Sequence, residues 1–283
     1  MWLQTFDCGC RRDATMTFEA RGKTMTAYGE LLAPVVEAAN RGADFLKARF
    51  DPQTRPADRA AMYHLGAGLE EASVAAVREV LDGVLPGAGW FDDEEERNLP
   101  PGEWWIVDGA EGGVNHVHGL PEWAVTIALV KDGIPQLSVV RQPVDDLTYT
   151  AVRGTGAWRN GEPLRVSAKT SLDSAIASTS QAGNSPGTHA RFGRAVAAMS
   201  DRALLVRNTI PTTFPLLRVA SGQSDVFWQY EPDLPGTAAG TLLATEAGAL
   251  VSDLSGKPWD LNSPDILVAA PGVHSTALEV LSS

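Results

Sequence analysis

The chain is poor in cysteine, short of positive charge and free of long apolar runs. Each shortage excludes a class of protein. The only cysteines are Cys8 and Cys10, so no disulfide framework can staple the fold. A reducing compartment, the cytoplasm, is expected. Cys8-Gly9-Cys10 has half of a metal-site spacing, but no second cysteine pair completes it. Lys and Arg number 23 against 35 Asp and Glu, a formal net charge of −12. Such a surface suits neither the phosphate backbone of a nucleic acid nor an anionic membrane. It can still bind a phosphate through intervening metal cations. No run of 18 apolar residues is present, so no membrane span is expected. The opening segment also lacks the apolar stretch of a signal peptide.

What remains is ordinary globular material: 283 residues, 44% apolar and 20% charged, enough for a sizeable core in one or two domains. Residues 1–27 read as an N-terminal extension, within which Met16 or Met25 is an alternative start. Apolar residues at helical spacing predict a helix over 28–50, and a second long helix is expected over 58–81. Short apolar runs predict strands at 104–107, 124–130, 136–140, 147–152 and 175–180. Helices at 189–199, 214–221 and 236–247 then alternate with strands at 204–207, 225–228, 250–252 and 266–269. This order argues a layered α/β (α+β) architecture in two halves, 28–170 and 171–283.

The most informative segment is 105–119, WIVDGAEGGVNHVHG. It follows a strand, and Asp108 and Glu111 flank small residues. A Gly-rich turn lets backbone N–H groups approach an anion, and neighbouring carboxylates suit a hard divalent cation. An ordinary glycine turn with two solvated acids is the plainer alternative.

Here the chain resembles the inositol monophosphatase superfamily of metal-dependent phosphatases, whose motif W-I-x-D-P-x-D-G-T-x-N-F-x-H-G lies on 105–119 without a gap. Further family patterns match at 151–164, 238–248 and 256–261. The resemblance implies an α-β-α-β-α sandwich, a homodimer, a small-molecule substrate held between the halves, and Mg²⁺, with one site expected more than two. By the same resemblance Asp108 and Glu111 are metal and catalytic carboxylates, and the Ala110 carbonyl is a metal ligand. The N–H groups of Gly112 and Gly113 would hold phosphate. Asp93, with Glu94 as its rival, falls on the upstream acid that binds metal and orients water. Asp58 falls on the aspartate that opens the second helix. Gln229 lies close to a family acid that contacts substrate hydroxyls, and Trp228 would line the pocket beside it.

Three departures stand out. The motif threonine is Gly113, the motif proline is Gly109, and the aspartate expected at the second metal is Gly236. Losing a hydroxyl that helps to accept a proton costs on the order of 10²–10⁴ in rate. The losses are expected to fall on chemistry and not on packing, with Glu231 and Asp233 near enough in sequence to substitute.

Two weaker motifs are present. Gly183-Asn-Ser-Pro-Gly187 fits the G-x-S-x-G pattern of a serine hydrolase, but Pro186 removes the N–H that normally serves the oxyanion. His116 and His118, with Glu111, have the spacing of a metal pair on a strand. A packed core histidine is the alternative.

The expected function is therefore Mg²⁺-dependent hydrolysis of a small phosphomonoester, a sugar or cyclitol phosphate, at an altered metal site. The alternatives are a repurposed enzyme that uses pocket carboxylates for acid–base chemistry, or a pseudo-phosphatase that only binds a ligand.

Overall fold

The computed structural model describes residues 28–92 and 99–282. After a 3₁₀ turn at Gly29–Leu31 comes α1, Leu32–Lys47. Its buried residues Val35, Ala38, Ala39, Gly42, Ala43 and Leu46 form one stripe, as 3.6-residue periodicity requires. The helix expected over 58–81 is in fact two, α2 at Arg59–Gly66 and α3 at Leu69–Val84. The break is Gly68, whose φ of 72° ends one helix and starts the next. Asp58 caps α2, accepting from the Ala61 N–H at 2.8 Å.

The first sheet runs β1 (Gly89–Trp90), β2 (Glu103–Glu111), β3 (Ala124–Lys131), β4 (Ile134–Gln142), β5 (Leu147–Val152), β6 (Gly156–Arg159) and β7 (Glu162–Pro163). These lie in chain order, antiparallel except for the β1–β2 pair. A short helix, α4 (Gly113–Val117), interrupts β2 and β3 where only a glycine turn was expected.

The second half supplies β8 (Ile176–Thr179), α5 (Thr188–Ser200), β9 (Leu205–Asn208), α6 (Thr213–Ala220), β10 (Val226–Tyr230), α7 (Leu234–Glu246), β11 (Leu250–Ser252), β12 (Asp265–Ala269) and α8 (Pro271–Leu281). The second sheet has the order β11-β12-β10-β8-β9.

Layering follows from which faces are apolar. Helices α1 and α3 cover the outer face of the first sheet, with Trp105, Trp123, Ile127 and Leu137 in that core. Helices α6 and α7 fill the space between the sheets, joining Ile106 and Val140 to Phe227 and Ile266. Helices α5 and α8 close the outer face of the second sheet. The result is an α-β-α-β-α sandwich. Helix α7 is apolar on all sides, and its residues from Leu234 to Ala244 are all buried, as a helix between two sheets must be. No helix among the described residues is long and apolar enough to cross a membrane.

Candidate functional site

Side chains on a regular strand alternate between faces, so residues 108 and 111 should point to opposite sides of β2. They do not, because the pairing register shifts: Asp108 opposes Thr126, whereas Glu111 opposes Ala124. One extra residue on β2 forms a β-bulge that restores a common face. The two carboxyl groups lie close enough to influence one another. Asp108 is fixed from its own strand, accepting from the Ala110 N–H at 2.9 Å. Glu111 is buried and is fixed from the other half of the chain, accepting from the Thr213 N–H at 2.8 Å.

The electrostatics of this pair are those of acids crowded together. Burial and the neighbouring Glu111 carboxyl hold the Asp108 carboxyl well above the usual carboxylate range, and the charge of Glu70 on α3 adds to this. Burial also raises Glu111, as does the charge of Asp233, against the N–H and hydroxyl of Thr213. No ion pair among the described residues involves Asp108, Glu111 or Asp233.

Glu111, Gly112 and Gly113 open onto a cavity of about 460 Å³ between the two halves. Gly112 has φ 86°, and a Cβ there would lie 2.7 Å from the Glu122 carbonyl oxygen, so only glycine fits. Buried Asn115 anchors this wall, its Nδ2 donating to the carbonyls of Glu122 (2.8 Å) and Ile210 (3.1 Å). The facing wall comes from the 180–184 loop, the 210–212 segment, and residues 229–237 at the end of β10 and start of α7. Trp259 and Leu261 close one side.

The predicted residues divide clearly. Asp108, Ala110, Glu111, Gly112 and Gly113 lie together on one segment. Gln229 and Glu231 line the cavity with Glu111. Asp93 and Glu94 lie outside the described residues. Gln229 is buried and committed at both ends of its amide: it accepts from the Thr212 hydroxyl at 3.2 Å and donates to the Gln181 carbonyl at 3.0 Å. Glu231 accepts from the Thr188 hydroxyl at 2.6 Å and the Ser185 N–H at 3.2 Å.

Several expectations are corrected. Trp228 does not line the pocket; strand alternation turns it into the core under α5 and α8, while Gln229 faces the cavity. The tryptophan at the cavity is Trp259. His116 and His118 are not a metal pair. They lie on and just after a helix, not a strand. The His116 ring packs on Phe50 and Trp123 with Nε2 3.0 Å from the Leu46 carbonyl, and His118 Nδ1 meets the Val114 carbonyl. Ser185 is exposed, and its N–H serves Glu231. Gly109 is a packing residue after all: a Cβ would lie 2.7 Å from Val74 Cγ2 and 2.9 Å from the Glu70 carbonyl, so α3 leaves no room.

Sequence reasoning missed Thr213, which nothing in its neighbourhood marked, and Glu70, hidden in an ordinary helical pattern. The carboxylates are hard oxygen donors whose mutual repulsion a divalent cation would relieve, so the donor set fits Mg²⁺. Among the described residues no three acids or histidines already form a closed cage.

The inositol monophosphatase family model matches residues 33–282. The fructose-1,6-bisphosphatase/inositol-1-monophosphatase of Thermotoga maritima is 32% identical over 202 residues, 68% of this chain and 75% of its own. The inositol-1-monophosphatase of Rhizobium meliloti is 30% identical over 207 residues, 72% and 78%. The crystal structure of the extragenic suppressor protein SuhB from Bartonella henselae superposes with a TM-score of 0.78 at 25% identity, covering 90% of this chain and 99% of that one. With its motif residues gathered on the bulged strand and a family match over nearly its whole length, this chain belongs to the inositol monophosphatase family.

Proposed function

We propose that the protein hydrolyses a small phosphomonoester, a sugar or cyclitol phosphate, and that Mg²⁺ is required. The observation that carries this reading is the β2 bulge, which sets Asp108 and Glu111 on one face beside the glycines of a cavity sized for a small ligand. Asp108, Glu111 and the Ala110 carbonyl would hold the cation, with Asp93 or Glu94 contributing from upstream. When bound, Mg²⁺ would offset the charge of the phosphoryl group and acidify a water.

The chain's own part is placement. Gly112 and Gly113 bring backbone N–H groups to the anion without side chains in the way. Thr213 holds Glu111 through its N–H, so the carboxylate enters the site already oriented. Glu231 and Gln229 brace the far wall, against which the organic part of the substrate would lie. Position 113 offers no hydroxyl to take a proton from the attacking water, so slow turnover is expected.

The test is phosphate release from a panel of sugar and cyclitol phosphomonoesters, with and without millimolar Mg²⁺. Release that needs Mg²⁺ and is lost in Asp108→Asn supports the reading. Absence of release from every ester, with no heat of Mg²⁺ binding, sinks it and favours a repurposed pocket.

A further inference from the structure

The family aspartate of the second half is Gly236 here, yet a carboxylate stands beside that position. Asp233 is the N-cap of α7, with extended backbone and Oδ2 accepting from the Gly236 N–H at 2.8 Å. A Cβ built on Gly236 would lie 2.4 Å from the same Oδ2 and 3.3 Å from Thr212 Cβ. The space where a side chain at 236 would begin is thus already filled by the side chain of 233. A side chain at 236 would therefore have to shift the carboxylate of 233 from its present position. Asp233 is exposed and lines the cavity with Glu111, whose carboxyl feels its charge.

We infer that Asp233 is a divalent-cation ligand of this site, reaching from the cap of α7 into the place left by Gly236. The inference rests on the metal-dependent reading proposed above. A helix cap is a natural place for such a replacement. The cap residue lies one turn before position 236 on the same helix end, and its carboxylate is already held by a backbone N–H. One oxygen binds the helix, and the residue lines the cavity. The same contact accounts for glycine at 236, since any larger residue would push the carboxylate away.

The test is Mn²⁺ binding, read from the loss of the free-ion signal in electron paramagnetic resonance as the ion is titrated into the full-length protein. Asp233→Asn removes the charge but keeps the cap, since Asn caps a helix about as well as Asp. The melting temperature of metal-free Asp233→Asn should therefore stay close to wild type, while Mn²⁺ affinity should fall by about tenfold or more. The double variant Asp233→Ser with Gly236→Asp keeps a capping hydroxyl, clears the space and returns the carboxylate to 236; it should recover most of the lost affinity. Asp108→Asn is the control that separates the two claims. If Asp108→Asn loses Mn²⁺ and Asp233→Asn binds as wild type does, Asp233 is only a cap and the inference is overturned while the metal site stands. If wild type itself does not bind Mn²⁺, both fall.

Discussion

The two walls of the cavity are built by different means. The wall on the first sheet is set by backbone geometry: a bulge in β2, a left-handed Gly112 and the close approach of α3 to Gly109. The wall on the second half is set by side-chain hydrogen bonds. Gln229 ties Thr212 to Gln181, Glu231 ties Ser185 to Thr188, and Asp233 caps α7. Backbone devices demand particular residues at particular positions, so the first wall keeps Gly112 and both carboxylate positions, and its two departures, Gly109 and Gly113, are themselves glycines. Side-chain devices can move from one residue to a neighbour, as proposed for Asp233 on the second wall.

Three substitutions and a pH series would break or sharpen this contrast. The largest effect is expected at the bulge. Asp108→Asn should take Mg²⁺-dependent phosphate release to background, because it removes a proposed cation ligand from the bulge. Next comes Gly113→Thr. A Cβ at 113 meets nothing nearer than Ala110 Cβ at 4.0 Å, so the first atom of a threonine side chain has room. It should raise kcat by about 10²-fold or more by supplying the missing hydroxyl. An unchanged rate would mean that another group already serves the water.

Gly109→Ala is the opposite case within the same motif. Its methyl would press on Val74 and the Glu70 carbonyl, and overpacking of this kind costs about 1–3 kcal/mol. Urea unfolding should show that loss; a stability equal to wild type would deny that α3 dictates glycine there. The pair separates two departures that look alike in sequence, one made by packing and one by chemistry.

Much of the architecture was legible because it follows from periodicity. The apolar stripe of α1, strands β2 to β5 and the largely apolar α7 each carry their own pattern, whereas the short β1, β6 and β7 do not. The Gly68 break was not, since glycine within a helical pattern is often tolerated. In the site, Asp108 and Glu111 were readable from the motif, but their sharing of one face was not. The bulge that turns them together is a property of pairing with β3, which spacing alone argues against. Trp228 and Trp259 could not be assigned between core and cavity without knowing which strand face meets α5 and α8. Thr213 acts through its N–H, a group every residue but proline possesses, so its identity left no trace.

The smallest effect is expected from the histidines. Burial holds His116 below its ordinary pKa of 6.5. Above that pH it is neutral in both states. As pH falls through 6.5 the unfolded chain takes up a proton that the folded chain refuses, so stability declines. Urea midpoints at pH 7.5 and pH 5.5, about one unit on each side of the ordinary histidine value, should show this drop set against the opposite drift from the raised Asp108 and Glu111 carboxyls. His116→Gln should lose part of that drop. An undiminished drop in the variant would place the acid sensitivity elsewhere, with half-buried His274 the next group to examine.

The most direct test of the account is a crystal structure with Mn²⁺, located by its anomalous scattering. The account predicts a peak in contact with Asp108 and Glu111 at the head of the cavity, and density within reach of Asp233. An empty site at saturating Mn²⁺, or ions bound only away from the β2 bulge, would contradict it.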